Sequence, residues 1–323
     1  MSHAIRLHSF GGPEVLRWEA VTVGDPGPGQ LRIKHTAVGL NFIDVYERTG
    51  LYPNPLPMGL GREAAGVVVA VGPKANGFAV GDRVAYMFGT PGAYSEERVV
   101  PAERVVKLPN GIRDSVGAAI MLKGLTAHAL LRRTYRVKNG DTVVVHAAAG
   151  GVGLLLVQWA KHLGARVIAI VGNADKATLV RDHGADLVLL DNDDWVRATK
   201  DYTRGIGVPV VYDSVGAATF MRSLDCLRPL GMMVTFGNAS GPVPPMAPSE
   251  LQKRGSLFLT RPVLFHYVAT RPQLQRAAQE LFGVVEQGAV RVHIGQTYAL
   301  RDAAQAHTDL EARKTTGSTV LLP

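Results

Sequence analysis

Cysteine is nearly absent: Cys226 is the single one in 323 residues. One thiol builds neither a disulfide framework nor a four-thiolate zinc site, and the scarcity fits a reducing compartment. Long apolar runs are missing as well, so no membrane span is expected. The first ten residues alternate apolar and polar like a strand and lack the apolar core of a signal peptide. Neither end carries a lipidation motif. A cytoplasmic protein is the expectation. Like-charge runs of five or six are also absent. Lys plus Arg number 35 against 27 Asp plus Glu, a net charge of +8, yet the basic residues are scattered and lack interleaved aromatics. The excess reads as a basic surface with a phosphate-binding cleft, and no nucleic-acid partner is expected.

What is present is ordinary globular material, 46% apolar and 19% charged. Single cores stop growing at roughly 250–300 residues, so two domains are expected. The first 120 residues are rich in Gly and Pro, with short β-like runs at Gln30–His35, Ala65–Val71, Arg83–Met87 and Glu97–Pro101. Turn signals between them suggest a sandwich or partly open barrel. From about residue 115 strand and helix alternate: strand at Thr142–His146, helix at Gly151–Leu163, strand at Arg166–Val171, helix at Ala174–Asp182. Further strands follow at Asp186–Leu190, Pro209–Asp213, Met232–Phe236 and Ser256–Thr260. This is the pattern of βαβ units and a doubly wound parallel sheet. The tail, with an amphipathic helix at Arg271–Gln287, is too small for a third domain and is expected to complete the first. The fold class is therefore α/β, with a discontinuous β domain over 1–122 and 263–323 and a dinucleotide-binding domain over 123–262.

The strand Thr142–His146 runs into Ala147-Ala148-Ala149-Gly150-Gly151-Val152-Gly153 and then a helix. This is a dinucleotide fingerprint with Ala148, Gly150 and Gly153 in the three glycine slots. Gly150 lets the backbone approach a pyrophosphate, Gly153 lets helix and strand pack closely, and the helix N-terminus offers free N–H groups. An NAD site wants a carboxylate at the end of the second strand. Here that tip is Gly172, followed by Asn173, Ala174, Asp175 and Lys176. With no carboxylate at the tip and Lys176 able to pair with a 2′-phosphate, the expected cofactor is NADPH.

A second motif runs from Gly61-Arg62-Glu63 to Gly72. It resembles the G-H-E signature of the medium-chain dehydrogenase/reductase superfamily, with Arg62 in place of the zinc-binding His and Asn41 in place of the Cys. No metal is expected. Asn41-Phe42-Ile43-Asp44-Val45-Tyr46, Gly50-Leu51-Tyr52-Pro53, Leu122-Lys123-Gly124-Leu125-Thr126, Tyr212-Asp213-Ser214-Val215-Gly216 and Phe236-Gly237-Asn238 sharpen the resemblance. Together they look like the zinc-independent NADPH:quinone oxidoreductases related to zeta-crystallin. The likeness covers essentially the whole chain and implies a GroES-like domain with a Rossmann domain inserted.

The resemblance also implies a site. Phe42, Ile43, Asp44, Val45 and Tyr46 line the nicotinamide side. Gly151 and Val152 meet the pyrophosphate, and Gly172 to Lys176 surround the ribose phosphate. Val215, Gly237, Asn238, Ala239, Ser240, Pro262, Val263, Leu264 and Arg313 lie along the cofactor. Asp191, where relatives often carry Tyr, falls near the adenine and opposes a 2′-phosphate. Asn41 and Tyr46 are candidates to hydrogen-bond the reduced oxygen, with Tyr52 lining the acceptor pocket. Arg62 either narrows that pocket, favours an acidic substrate or, the blander reading, pairs with Glu63 or another carboxylate. His146 reads as a core or cofactor-shell residue and Cys226 as buried and inert. Without zinc, a conjugated acceptor is favoured, so the expected reaction is hydride transfer from NADPH to a quinone. An NADPH-dependent enone or alkenal reductase is the near alternative, and a non-catalytic structural or RNA-binding protein the distant one. The last strand, Ser256–Thr260, is placed to pair across a homodimer axis.

Overall fold

The computed structural model describes the whole chain, Met1–Pro323. It divides into two compact units. One comprises Met1–Leu125, Ala269–Glu286 and Val292–Pro323, and the other Thr126–Val268 with Gln287–Arg291.

The first unit is mainly antiparallel. Ser2–Leu7 pairs with Arg17–Val21 and Met58–Gly59 in a small sheet. A larger seven-stranded sheet has Ile294–Ala299, Ser318–Leu322, Gln30–Leu40, Glu63–Val71, Arg83–Met87 and Val105–Lys107 in spatial order, with Glu97–Pro101 also on Gln30–Leu40. The long strand Gln30–Leu40 extends past the expected run. Its end is clamped from both sides: Leu40 lies opposite Thr319, and Gly39 lies opposite Glu63. That clamp sets where Asn41 and the following helix, Phe42–Arg48, begin. Leu31, Ile33, Val38, Val68, Tyr86 and Leu321 fill the core. The strands Arg17–Val21 and Val105–Lys107 have no marked alternation and were not anticipated; pairing supplies their order.

The helix Asp114–His128 is apolar on nearly every side, as expected of a helix buried all round, and Lys123 is the cation in its middle. It continues as a π-turn, Ala129–Thr134, before Tyr135 leaves it in an extended conformation.

The second unit carries a six-stranded sheet, all parallel, in the order Leu187–Leu190, Arg166–Val171, Thr142–Val145, Val208–Asp213, Leu227–Thr235, Phe258–Thr260. The first strand in sequence lies in the middle, and the order reverses there. Continuous β-branched strands such as Thr142–Val145 are fully buried, as a sheet covered on both faces requires. Helices Trp195–Tyr202 and Phe220–Cys226 were not anticipated; Trp195, Phe220, Leu224 and Cys226 turn into the core. Residues 287–291 return to this unit because Gln158 binds both backbone groups of Arg291, at 2.8 and 3.0 Å.

Candidate active site

In the second unit the expected nucleotide residues share one address. Gly150 to Gly153 follow strand Thr142–Val145, Gly172 to Lys176 follow Arg166–Val171, and Asp191 follows Leu187–Leu190. Val215 follows Val208–Asp213, Gly237 to Ser240 follow Leu227–Thr235, and Pro262 to Leu264 follow Phe258–Thr260. All lie just beyond the carboxyl ends of parallel strands, around the point where strand order reverses. That is where open α/β sheets bind ligands.

The turn after the first strand is shaped by its residues. Ala147 takes a left-handed φ of +47°. Gly150 caps the helix Gly151–His162, whose first intrahelical bond is Leu154 N–H to Gly150 at 2.9 Å. The N–H groups of Gly151, Val152 and Gly153 precede that bond and face the positive end of the helix dipole, a natural anion seat. A Cβ on Gly153 would lie 2.4 Å from the Ala147 carbonyl oxygen and 2.7 Å from Ala148 Cα, so only glycine lets the helix approach. At Gly150 the nearest atom is 3.2 Å away, a milder restriction.

At the second strand tip, Asn173 caps helix Ala174–Asp182 by accepting the Lys176 backbone N–H at 3.0 Å. The carboxylate missing from Gly172 is partly replaced from the neighbouring strand. Asp191 Oδ2 stands 3.5 Å from where a Gly172 Cβ would sit. Asp213, fully buried, organises the next loop: its oxygens accept the N–H groups of Val215 and Gly216 and the hydroxyls of Thr219 and Ser223. Val215 is tied to Ser240, whose N–H and hydroxyl both donate to its carbonyl. His146 is a core residue: Nε2 meets the Ser223 hydroxyl at 2.9 Å, its ring packs edge-on against Trp195, and burial lowers its pKa. Cys226 is buried, its thiol pushed up to about 12 by desolvation, and so is inert.

In the first unit the chemistry is carried by buried side chains. Phe42, Tyr46 and Tyr52 form an aromatic group, with ring centroids 5.4 Å apart for the first pair and 5.2 Å for the second. Beside them lie three carboxylates without solvent exposure, Asp44, Glu47 and Glu63. Asp44 Oδ2 accepts the Asn41 backbone N–H and the Tyr94 hydroxyl, both at 2.9 Å. Its side chain is therefore turned into the unit, and only its backbone is left for the cofactor contact expected of it. Burial, then the Glu47 charge, raises its pKa to about 7. Arginine only donates, so Arg48 Nη1 at 3.0 Å makes His307 Nδ1 an acceptor and leaves the proton on Nε2, which faces the Tyr94 oxygen at 3.1 Å. The donors thus point in one direction, from Arg48 through His307 and Tyr94 to Asp44. Desolvation, then Arg48, holds the His307 pKa down at about 3.

Arg62 pairs with Glu47, through Nε at 2.8 Å and through Nη2, and donates to the Gly89 carbonyl. Of the carboxylates expected to pair with Arg62 it is thus Glu47 that does so, while Glu63 is taken by Lys123 Nζ at 2.7 Å and Asn41 Nδ2 at 2.8 Å, both on the same oxygen. Gly39 makes this possible, since a Cβ there would lie 2.4 Å from Glu63 Oε1 and 2.3 Å from the Ala118 carbonyl. An ionised carboxylate only accepts, so the Asn41 amide nitrogen must face it. Its second hydrogen goes toward Gly39 O at 3.4 Å. Its Oδ1 is the acceptor of the capping box that opens helix Phe42–Arg48, facing the Asp44 backbone N–H, so the amide is engaged within the unit. Arg313 follows helix Ala303–Glu311 with a left-handed φ of +58°. Sequence reasoning gave no role to Tyr94, Lys123 or His307. The one available signal was Lys123, a cation inside an otherwise apolar helix.

No group of three or more His, Cys, Asp or Glu side chains is arranged to hold a metal ion. The matched families are the alcohol dehydrogenase GroES-like domain, over residues 27–110, and the zinc-binding dehydrogenase family, over residues 151–280. The chain is similar to a quinone oxidoreductase of Pseudomonas aeruginosa, at 51% identity covering all of both chains. It is also similar to a 2-haloacrylate reductase of a Burkholderia species, at 46% identity over all of this chain and 99% of the other. The crystal structure of Escherichia coli quinone oxidoreductase complexed with NADPH superposes with a TM-score of 0.98 at 46% identity, covering 99% of this chain and all of that one.

Proposed function

The chain belongs to the quinone oxidoreductase family, and from that premise we propose that it transfers a hydride from NADPH to a quinone without a metal ion. The observation that carries this is full-length similarity joined to a ring of nucleotide-type loops at the carboxyl edge of a doubly wound sheet.

The residues present fit the dinucleotide. Free N–H groups at Gly151 to Gly153 suit the pyrophosphate, and the bare Gly172 tip with Lys176 suits a 2′-phosphate, against which Asp191 acts. Asn173, Ala174 and Asp175 complete that turn. Val215, Gly237 to Ser240, Pro262 to Leu264 and Arg313 would run along the cofactor, with Phe42 to Tyr46 beside the nicotinamide. When bound, NADPH supplies the hydride. The protein's part is to align the acceptor, for which Tyr46 and Tyr52 form a rigid aromatic wall.

The residues do not fit zinc. At its two signature positions stand Asn41, whose amide is tied to Glu63, and Arg62, a cation paired with Glu47. A cation and an amide make no three-ligand set. Without a Lewis acid, an acceptor that spreads its own charge is favoured, as a quinone does. The 2-haloacrylate reductase relative favours a second reading, reduction of an activated carbon–carbon double bond by the same hydride chemistry.

We also assign a homodimer. Strand Phe258–Thr260 is a sheet edge with Phe258 and Leu259 exposed, and a second copy would extend the sheet there. No helix is long and apolar enough to cross a membrane, and we place the enzyme in the cytoplasm, with no nucleic-acid partner. The deciding experiment is NADPH and NADH oxidation against a panel of quinones and enones with metal analysis of the same sample. Quinone-dependent oxidation of NADPH by metal-free protein is expected; stoichiometric zinc or a strong NADH preference would overturn the reading.

A further inference from the structure

We propose that Lys123 is a catalytic residue of quinone reduction: its ammonium group hydrogen-bonds the acceptor oxygen that gains charge and passes it a proton, while Glu63 positions it. The inference rests on the quinone-reductase reading and deepens it by naming the proton donor.

The nitrogen donors of Asn41 and Arg62, beside Phe42 to Tyr46, are engaged. Asn41 has both amide hydrogens directed at Glu63 and Gly39. Arg62 is held by Glu47 and the Gly89 carbonyl. Asp44 Oδ2 accepts from the Asn41 N–H and the Tyr94 hydroxyl, which holds that side chain within the unit. Lys123 differs. Its side chain is 7% exposed, and of its three N–H groups one goes to Glu63 while two have no partner within the protein. It shares Glu63 Oε1 with Asn41 and lies close enough to Asp44 to act on that carboxyl, so the three belong to one buried group.

Stability does not explain the pair. Replacing a buried ion pair by apolar residues of similar volume is commonly neutral or stabilising. Here a lysine is nonetheless carried in an apolar helix, and Gly39 is kept free of a side chain to admit its carboxylate. A buried ammonium with two unused hydrogens is a preorganised donor in a low-dielectric site, where it acts most strongly on developing negative charge.

The step balances. The quinone gains two electrons and one hydrogen as hydride. The N–H bond of Lys123 breaks as the O–H bond forms on the charged oxygen, and the resulting hydroquinone leaves. The neutral amine then takes a proton from solvent. Alkylammonium and phenol are acids of comparable strength, so the transfer is close to even.

Two measurements test this. The double variant Lys123→Met/Glu63→Gln removes both charges and leaves no unpaired ion, which protects folding. Its kcat/KM should fall about 100-fold or more with quinones of weak electron affinity. The loss should be much smaller with strongly electron-withdrawing ones, and the NADPH Kd should stay within about twofold, read by cofactor fluorescence. A folded variant whose loss is under about threefold, or equal across the series, overturns the proposal. The second measurement needs no turnover. 4-Nitrophenol added to cofactor-free wild-type protein, at a pH where the free probe is mostly neutral, should bind as the yellow phenolate and be displaced by quinone. Binding as the neutral phenol overturns the proposal whether or not the variant folds. Wild-type protein inactive with every quinone tested would instead sink the underlying reading.

Discussion

The two units carry their candidate functional residues in opposite materials. The nucleotide side is made of backbone: glycines, a helix N-terminus and loops braced by Asp213. The proposed acceptor side, in the first unit, is made of buried charged side chains in which Arg62 meets Glu47, Lys123 meets Glu63, and Arg48, His307, Tyr94 and Asp44 form a directed chain. Backbone donors keep their geometry and charge at any ordinary pH. Buried side chains supply protons and tunable charge, at the cost of desolvation and long-range pairing. The difference teaches where each unit is fragile: one to a single added methyl group, the other to a single removed partner.

The largest expected effect breaks the nucleotide side. Gly153→Val puts side-chain carbon into the Ala147 carbonyl and forces the helix off its strand. NADPH binding should weaken by about 100-fold or more, an estimate from the loss of several phosphate-type hydrogen bonds, measured by fluorescence titration. An unchanged Kd would remove close packing from the account.

Next, Arg62→Met should destabilise the first unit by about 3–5 kcal/mol, because Glu47 is left buried without its cation. Arg62→Met/Glu47→Gln should recover most of that loss. Denaturant melts of the two variants decide it: equal losses would mean that packing, and not charge, dominates.

A smaller effect concerns pH. Asp44 has a folded pKa of about 7, above its ordinary value, so the fold holds an extra proton between about pH 4 and 7. Its contribution is complete at low pH and is lost as pH rises through about 7. His35 and His307 work in the other direction. Burial first holds their folded pKa values near 4 and 3, so their contribution is complete above about pH 6.5 and is lost as pH falls. The two effects partly cancel. Asp44→Asn removes the first and should make stability rise more steeply from pH 5 to pH 8, by on the order of 2–4 kcal/mol. Urea denaturation at both pH values checks it, and an unaltered slope counts against a protonated Asp44.

The smallest effect sharpens the cofactor choice. Asp191→Asn removes a carboxylate from beside the Gly172 tip and should raise the NADPH-over-NADH preference by about fivefold, roughly 1 kcal/mol of screened repulsion. The ratio of kcat/KM values for the two cofactors reads it directly.

Much of the nucleotide side was legible because its signals are local. A β-branched strand, a glycine-rich turn and a helix follow one another within about 20 residues, and the strands Arg166–Val171 and Thr142–Val145 stand where periodicity placed them. The acceptor side was legible only in part. Phe42, Tyr46 and Tyr52 are near in sequence and come together. The partners that decide their chemistry are far away: Lys123 lies 60 residues from Glu63, and His307 lies 213 from Tyr94. Sequence gave Arg62 a partner in Glu63 or another carboxylate without deciding between them, and the partner is Glu47. Arg62 stands just before strand Glu63–Val71 and reaches Glu47, 15 residues away, while Glu63 is taken by Lys123.

The amino-acid order alone determined the doubly wound sheet, the turn from Ala147 to Gly153, and the positions where a zinc site would need ligands that this chain lacks. Each depends on residues that touch because they are consecutive or periodic. Only the tertiary structure decided which carboxylate each buried cation meets, that the Asn41 amide is tied to Glu63, that Asp191 leans over Gly172, and that Lys123 keeps two hydrogens unengaged. Those outcomes depend on strand register and helix docking, which bring together groups that the chain itself holds far apart.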